Sequence, residues 1–401
     1  MKYNFPALYF ETTRLCNLQC RMCMTGSNDT ELVKATKPDE LSFEEIRDLV
    51  LRPAKALGIK AVGWSGGEFL LRKDAMSLVR LGAELGYQCK ICSNCELLTR
   101  DLLCELKQAS GGKLTIAVGL NSIDERNEFT RDAGPDRTLE VLALCDELKI
   151  DRHVIVTLSK QNTESFENTV DYLVRRRISY NRSPHAARGS GCDLFRQLAF
   201  DRTDLKDRFH PALRRHVNGY VSYTPFFLSP ELHAQVSGGV RNGNVPHNPP
   251  IGCWVGTWLA VNAEGGVSVC PVLLDSLSAG NVREKPLDRL VEESELFARL
   301  LDRSQPKGRC GECRYQYTCG GCRAMAFYHS GDYMGEDPTC FFNPVSRETV
   351  SEYEEETNRL FKKYLIVARH VGLYQRPARA SRREELELDT ASPIQRETSQ
   401  D

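Results

Sequence analysis

The first 180 residues alternate between short apolar runs and amphipathic segments, and this alternation constrains the fold most. Apolar runs that predict strands occupy 6–12, 60–71, 87–94, 113–121 and 152–159. Amphipathic segments that predict helices occupy 41–50, 74–86, 137–148 and 165–177. Strands that alternate with helices at this spacing form parallel βαβ units, whose helices cover the sheet. We therefore expect an α/β fold with five or six such units in a curved sheet or partial (βα)6 barrel, its site at the carboxyl ends of the strands.

The alternation of apolar and amphipathic segments ends near residue 190, which predicts that further structural units follow the α/β core. We expect the α/β core to span 1–191 and a bridging segment to span 192–250, with a charged helical stretch followed by a Pro, Gly and Asn-rich linker at 236–250. A cysteine-rich domain is expected at 251–345, in which 266–270 form one strand of a hairpin. The last unit, 346–401, should contain one helix at 346–372 and a disordered tail from 374, because the tail is charged and poor in aromatic residues.

Composition narrows the class of protein. A net charge of −1 and 41% hydrophobic residues fit a chain with an ordinary buried core. The N-terminus lacks the apolar region of a signal peptide, and no apolar run reaches about 18 residues, so we expect a cytoplasmic protein that is not embedded in a membrane. The chain also lacks a long basic stripe, so we do not expect nucleic acid as a partner.

The sixteen cysteines need a separate explanation. Lasting disulfides are rare in the reducing cytosol, so metal binding is the leading interpretation of so many thiols. Two groups have the close spacing of metal ligands. The first is Cys16, Cys20 and Cys23, and the second, towards the C-terminus, is Cys253, Cys270, Cys310, Cys313, Cys319, Cys322 and Cys340.

The first group, in "TRLCNLQCRMC", places three cysteines directly after the first predicted strand. A structural zinc site is closed by four ligands, so zinc here would need a distant fourth residue. A cluster of four irons also accepts cysteine thiolates at its corners. Three cysteines would then leave one iron free to bind a molecule that is not protein.

This C-x3-C-x2-C spacing resembles the signature of the radical S-adenosylmethionine (SAM) superfamily. The resemblance covers about the first 190 residues and implies that Cys16, Cys20 and Cys23 hold a [4Fe–4S] cluster whose open iron binds SAM. It also implies SAM contacts at the strand ends: the methionine amino group at Gly66, Gly67 and Glu68, the ribose at Asn121, Ser122 and Asp124, the adenine near Met22, and further contacts at Ser93, Asn94 and Arg131. Cys95 departs from the family, which usually has glycine after that asparagine.

The C-terminal cysteines resemble the SPASM extension of radical SAM enzymes, which holds one or two auxiliary [4Fe–4S] clusters. The resemblance implies that Cys310, Cys313, Cys319 and Cys340 close one cluster. It gives the other cluster only Cys253, Cys270 and Cys322, so one of its irons is open or takes a different ligand. Two residues precede Cys322 where the family usually has three. A zinc ribbon is the alternative, although seven cysteines exceed what a four-ligand site needs.

Several other residues have two interpretations. Cys89, Cys92 and Cys95 have ligand-like spacing, but neighbouring positions on a strand face opposite ways and cannot converge on one ion. Cys104 and Cys145 are expected in the core, because each lies on an apolar helical face. Cys192 is either a hydrogen-atom donor to a substrate radical or an ordinary loop cysteine. His185 and Arg188 in the same stretch are either substrate contacts or polar loop residues.

The resemblance implies a radical SAM oxidoreductase that reductively cleaves SAM to a 5′-deoxyadenosyl radical, which abstracts hydrogen from an unactivated C–H bond. An electron donor such as flavodoxin or ferredoxin is implied as a partner. For the substrate we slightly favour a peptide that is oxidised or crosslinked during natural-product maturation. Only 15 residues precede Cys16, which weakens that interpretation and favours a small-molecule dehydrogenase or epimerase acting on an aminocyclitol or sugar. A non-catalytic metal-cluster scaffold is the alternative from another class.

Overall fold

The computed structural model describes residues 3, 5–215, 224–237, 252–342 and 347–370, and within these the backbone alone for 234–237, 347–351 and 364–370. All but the first two residues of the predicted linker at 236–250 lie outside the described residues, as does the predicted disordered tail from 374.

One sheet of eight strands forms the centre of the protein, in the order β6-β5-β4-β3-β2-β1-β7-β8. The strands are β1 (Ala7–Glu11), β2 (Ala61–Ser65), β3 (Gln88–Ser93), β4 (Leu114–Gly119), β5 (Asp151–Leu158), β6 (Ser179–Pro184), β7 (Trp258–Val261) and β8 (Val267–Ser268). Strands β1 to β6 are all parallel and neighbour one another in chain order. The expected partial barrel of six βα units is therefore confirmed.

Helices precede and follow the strands along the chain. In the first half they are Thr30–Thr36, a continuous helical stretch at 43–56, Ala75–Glu84, Arg100–Ala109, Arg126–Arg131, Asp136–Glu147 and Phe166–Arg175. Then come Gly191–Leu198, the helical stretch at 202–214, Pro230–Ser237, Leu287–Glu293, Glu295–Leu301, Gly308–Gly311, Arg323–Ser330 and Arg347–His370. None of the described helices is long and apolar enough to cross a membrane.

Local sequence explains where these elements begin. The helical stretch at 43–56 starts with a reciprocal capping box, in which Ser42 and Glu45 bond each other's backbone N–H groups. On β2 the fully buried Trp64 ring lies 5.3 Å from the ring of Phe69 in a stacked arrangement. The outward-facing side of the sheet is apolar because the helices bury it.

The cysteine-rich domain shares the sheet of the α/β core. The predicted hairpin is β7 and β8, which pair antiparallel, but β7 also pairs in parallel with β1, from Ala7↔Trp258 to Phe10↔Val261. The sequence pattern did not predict this second pairing. An ion pair between Arg283 and Glu45, 2.6 Å apart, adds a contact between the two parts of the chain. The hairpin is thus a continuation of the barrel sheet.

Candidate functional site

The loop after β1 brings the first three cysteines to one wall of a cavity inside the partial barrel. Cys16, Cys20 and Cys23 all line this cavity, which has about 1520 Å³ of empty space, part of it open to solvent. Burial raises the pKa of the Cys20 thiol to about 11, and the charges of Cys23 and Cys16 act in the same direction. Three thiols grouped at one wall of a cavity favour a positively charged group beside them, because metal binding deprotonates thiols.

Two glycines at the end of β2 hold this loop in place. The N–H of Gly67 donates to the carbonyl of Thr13 at 2.8 Å, and the N–H of Glu68 donates to the carbonyl of Leu15 at 2.8 Å. A Cβ atom on Gly66 would lie 2.3 Å from the Thr13 carbonyl oxygen, and one on Gly67 would lie 2.3 Å from that of Leu15. The backbones can approach this closely only because neither residue has a side chain.

Glu68 lies behind the cavity wall, fully buried. Its carboxylate accepts hydrogen bonds from Ser93 Oγ at 3.0 Å, from the backbone N–H of Asn94 at 2.8 Å and from that of Leu70 at 3.2 Å. Burial raises the pKa of this carboxyl group. In this structure Glu68 joins the end of β2 to the end of β3, and the direct SAM contact expected for it stays a prediction.

Most of the other expected SAM contacts line the same cavity: Met22, Gly66, Gly67, Ser93, Asn94, Asn121 and Arg131. The Arg131 guanidinium lies over β4, where a Cβ atom on Gly119 would be 0.7 Å from one of its nitrogens. The Asn94 side-chain amide lies 3.6 Å from the sulfur of Cys16. Residues from the ends of β2, β3 and β4 thus meet beside the cysteine loop, as expected for a parallel sheet.

Ser122 and Asp124 lie outside the cavity lining. Ser122 Oγ donates to Asp124 Oδ1 at 2.7 Å, and the other carboxylate oxygen of Asp124 accepts from Arg126 at 2.7 Å. Ser122 is fully buried. These bonds stabilise the turn after β4, and the expected ribose contacts of both residues stay predictions.

Arg188 is engaged in a buried ion-pair network, while its neighbour His185 lines the cavity. The Arg188 guanidinium donates to Glu11 at 2.7 and 2.5 Å and to Asp275 at 2.7 Å. Asp275 also accepts from Arg14 at 3.1 Å. These contacts favour a structural role for Arg188, because they join β1, the loop after β6 and the segment after β8.

Arg14 connects the same network to the cysteine loop. Its guanidinium donates to Glu264 at 2.8 Å and to the carbonyl of Thr25 at 2.6 Å. Thr25 in turn lies 3.1 Å from the sulfur of Cys23. Nothing in the sequence pairs Arg14 with residues some 250 positions later, so sequence reasoning missed this contact.

The second set of cysteines, Cys253, Cys270 and Cys322, lines a separate cavity. Burial raises the pKa of the Cys270 thiol to about 12, and the charge of Cys253 adds to this effect. Four residues line both this cavity and the barrel cavity, which are therefore separated by a shared wall: Ser183, Pro184, Trp254 and Val272.

The third set, Cys310, Cys313, Cys319 and Cys340, lines another cavity. Backbone N–H groups point at three of these sulfurs: Asp337 N–H at Cys310 and Phe226 N–H at Cys319, both at 3.3 Å, and Tyr315 N–H at Cys313 at 3.4 Å. Aromatic rings pack around this cavity. The centre of the Phe227 ring lies 5.4 Å from that of Tyr315 and 5.8 Å from that of Phe342. Thiols that accept N–H bonds in a dry pocket are suited to hold an iron–sulfur cluster.

The remaining cysteines have different surroundings. Cys89, Cys95 and Cys145 are buried, whereas Cys92 lines the barrel cavity. The expectation that Cys104 lies in the core is wrong, because its thiol is exposed on the helix Arg100–Ala109, on the face turned away from the buried Leu103 and Leu106. Cys192 is exposed at the start of the helix Gly191–Leu198 and lies outside the cavity lining, so its role as a hydrogen donor stays a prediction.

Among the described residues, no three His, Cys, Asp or Glu side chains are placed to hold a single metal ion. The three cysteine sets instead surround cavities. A zinc ion requires thiols that converge on one point, whereas a cluster of four irons needs room between them. The arrangement therefore favours iron–sulfur clusters over the zinc alternatives.

Sequence reasoning missed several residues that line the barrel cavity: Tyr9, Lys90, Trp254 and Trp258. Alternation along β3 could have found one of them. Lys90 and Cys92 share a face with Asn94, because successive side chains of a strand point to opposite sides. The β1–β7 pairing, which brings Trp258 into the barrel, left no comparable signal in the sequence.

Comparison with known proteins agrees with this geometry. Residues 10–173 match the family model of the radical SAM superfamily, and residues 253–320 match that of the SPASM iron–sulfur cluster-binding domain. The solved structure of SuiB from Streptococcus suis bound to the precursor peptide SuiA has a TM-score of 0.60 at 18% identity, covering 86% of this chain and 76% of SuiB. At this identity the likeness shows the fold alone.

Curated relatives are similar over most of their length. The AdoMet-dependent heme synthase of Methanosarcina barkeri is 28% identical over 85% of this chain and 98% of its own. The PqqA peptide cyclase of Bradyrhizobium diazoefficiens is 26% identical over 88% of this chain and 91% of its own. With both family models matched in order, the chain belongs to the radical SAM superfamily, as an enzyme with a C-terminal SPASM domain that binds an iron–sulfur cluster with SAM and auxiliary iron–sulfur clusters.

Proposed function

We propose that this enzyme oxidises an organic substrate held in the barrel cavity, between the first and second cysteine sets. The observation that supports this most is the wall shared by the two cavities, at Ser183, Pro184, Trp254 and Val272. A molecule against this wall has the SAM side of the barrel on one face and the Cys253 set behind the other.

The residues present fit the groups that the family binds. Cys16, Cys20 and Cys23 are proposed to hold the cluster that carries SAM. Cys310, Cys313, Cys319 and Cys340 are proposed to hold one auxiliary cluster, and Cys253, Cys270 and Cys322 the other. When bound, these groups supply a 5′-deoxyadenosyl radical that takes a hydrogen atom from a C–H bond, and an acceptor for the electron left on the substrate.

The protein's own part is positioning and exclusion of water. We infer that Asn94 and Arg131 orient SAM beside the cysteine loop, with Met22 against its adenine. Tyr9, Trp254 and Trp258 also line the cavity and present aromatic surface to the substrate. Holding the reacting carbon beside the radical in a dry cavity accounts for a large share of such catalysis, because no acid or base is needed to break the bond.

For the substrate we favour a tetrapyrrole with carboxylate side chains. The heme synthase of Methanosarcina barkeri is matched over 98% of its length. The Trp258 ring beside the Lys90 cation, with Trp254 in the same cavity lining, suits a flat, anionic ring system. A peptide is the second candidate. It is supported by the similarity to the PqqA peptide cyclase, a protein of comparable length and coverage.

The test begins with SAM cleavage. The anaerobically reconstituted enzyme, reduced with dithionite, should release 5′-deoxyadenosine, measured by chromatography with mass detection. Cys16→Ala should reduce the release to the level without protein, while Cys104→Ala, which removes an exposed thiol, should leave it unchanged. Equal release from the two variants would refute the radical proposal.

Substrate class is tested with iron coproporphyrin III deuterated in its propionate side chains, and in parallel with acidic peptides. Transfer of deuterium into 5′-deoxyadenosine identifies the attacked C–H bond. Deuterium transfer from the porphyrin, with a matching loss of product mass, is the result we expect. Transfer from a labelled peptide and none from the porphyrin would reverse the order of the two candidates.

A further inference from the structure

Lys90 is a cation inside the barrel that forms no ion pair with any residue in the described part of the chain. Lys90 is at the middle of β3, level with Gly63 on β2 and Thr115 on β4, and its side chain lines the cavity. Its Nζ atom lies 5.9 Å from the centre of the Trp258 ring, a cation–π distance. The Trp258 ring packs against Gly63, which has no side chain. A Cβ atom on Gly63 would lie 3.5 Å from this ring.

No ion pair or hydrogen bond joins the Lys90 ammonium group to any residue that the structure describes. Glu11 on β1 also belongs to the inner layer, but its carboxylate is paired with Arg188 at 2.7 and 2.5 Å and accepts from the Tyr9 hydroxyl at 3.1 Å. Both carboxylate oxygens of Glu11 therefore already have partners, and no ion pair between Glu11 and Lys90 is observed. The nearby Cys92 thiol is the acidic group whose charge acts on Lys90, and it raises the pKa of the amine.

The surroundings of Lys90 make an unpaired charge unfavourable. Burial lowers the pKa of Lys90, because the barrel shields the amine from bulk water. His153 on the neighbouring side of the lumen is neutral, since burial and the charge of Lys90 lower its pKa to about 3. Lys90 is half-buried, and an ammonium group that is partly withdrawn from water without a counter-charge is unfavourable. A bound anion offsets that cost.

We propose that Lys90 binds a carboxylate group of the substrate and seats it against the ring of Trp258. This inference rests on the proposed function only in taking the barrel cavity as the substrate site. It names the chemical class of the substrate: an organic acid, whether a tetrapyrrole with propionate side chains or an acidic peptide. A charge-assisted bond to a buried carboxylate also fixes which carbon faces the cysteine loop.

Binding is measured without turnover, so that the result does not depend on the radical chemistry. The reconstituted full-length protein is titrated with coproporphyrin III, and the quenching of tryptophan fluorescence gives Kd. Lys90→Met should raise Kd about tenfold or more, the effect of losing one charge-assisted hydrogen bond. Lys90→Arg, which keeps the charge, should recover most of the affinity, and Lys113→Met, which changes an exposed lysine, should leave Kd unchanged.

Two further binding experiments identify the anionic group and the class of molecule that carries it. The tetramethyl ester of the same porphyrin has no carboxylate, so wild type and Lys90→Met should bind it equally. A hexaglutamate peptide, detected by competition, represents the peptide source: Lys90-dependent binding of the peptide and not of the porphyrin would keep the proposal and assign the carboxylate to a peptide.

Three results would overturn the proposal: equal Kd for wild type and Lys90→Met, an equal loss of affinity for the ester, or no binding of either probe by wild type. Iron content and melting temperature of each variant show whether the protein is intact. Lys90→Gln replaces Lys90→Met if the latter loses iron. A wild-type protein that binds the porphyrin through Lys90 but releases no 5′-deoxyadenosine would refute the proposed function and leave this inference standing.

Discussion

Replacing Arg188 with Met tests whether the buried ion-pair network stabilises the protein. The side chains of Arg188 and Glu11 are 2% and 4% exposed, and two hydrogen bonds of 2.7 and 2.5 Å join them. In Arg188→Met, Glu11 keeps only the Tyr9 hydroxyl among its described donors. Asp275 keeps Arg14 at 3.1 Å and the amide of Asn262 at 2.6 Å. Arg188→Met therefore leaves the buried carboxylate of Glu11 without a positively charged partner among the described residues.

The expected magnitude follows from this difference. Removing one partner of a buried ion pair costs about 3–5 kcal/mol, and here the cost falls on one carboxylate because Asp275 is still paired. Glu11→Gln should cost less, since Arg188 retains Asp275. In the double variant neither charge is left buried alone, so its loss should be about 1–3 kcal/mol smaller than the sum of the two single losses.

Urea unfolding of the four reconstituted proteins, followed anaerobically by fluorescence, measures these differences. The clusters are present in all four proteins, so their contribution cancels in the double-mutant cycle. Lys34→Met, which breaks an exposed pair with Glu31, should cause no measurable shift of the midpoint. A loss below about 1 kcal/mol for Arg188→Met, or additive losses in the cycle, would refute the assignment of a structural role to the network.

Three other predictions concern the cysteine sets, the cavity and pH. Cys322→Ala and Cys253→Ala should each lose about one third of the iron, and the double variant should lose no more than either one, because both thiols are assigned to one cluster. Gly119→Ala should lower SAM binding, because its methyl group would occupy the position of the Arg131 guanidinium. Hydrogen bonds from Arg283 lower the pKa of the Glu45 carboxyl group to about 2. The wild type should therefore be more stable than Glu45→Gln above pH 4.5, and this difference in stability should disappear as the pH falls to 2.

Each of these predictions has a matched control. Cys313→Ala combined with Cys322→Ala should lose about two thirds of the iron, because the two thiols line different cavities. Gly134→Ala meets no atom within 4 Å and should bind SAM like wild type. The pH series uses apo-protein, because acid protonates cluster ligands. Iron loss that adds up within one set, normal SAM binding by Gly119→Ala, or a Glu45 effect independent of pH would contradict the respective assignment.

The fold was largely predictable from the sequence, because parallel βα units depend on local patterns. The first strand was expected at 6–12 and is Ala7–Glu11, and the capping signal at Ser42 and Glu45 predicted the start of a helix. The pairing of β7 with β1 was not predictable. It joins residues some 250 positions apart, and a four-residue strand has no pattern that specifies its partner.

The site was predictable where ligands come from one loop or one strand end, and less so where they depend on burial. Cys16, Cys20 and Cys23 were grouped by their spacing, and the structure places all three along the barrel cavity. Glu68 matches a motif, yet the structure buries its carboxylate under Ser93 and Asn94, because the side chain points away from the cavity. Lys90 carries no motif. Only the three-dimensional arrangement shows that Lys90 lines the barrel cavity and forms no ion pair with a residue that the structure describes.

The sheet itself fixes the distance between the first and second cysteine sets. Strand β1 leads directly to Cys16, and its neighbour β7 begins five residues after Cys253, while β8 ends two residues before Cys270. Because β1 and β7 are paired by hydrogen bonds, these sets are separated by strand spacing and register rather than by a linker. Arg188 follows β6, at the other edge of the sheet, and its ion pairs with Glu11 and Asp275 join β1 to the segment after β8. A substrate bound where we propose would therefore lie in a cavity whose walls belong to one hydrogen-bonded sheet. Hydrogen abstraction at a single carbon requires such fixed positioning.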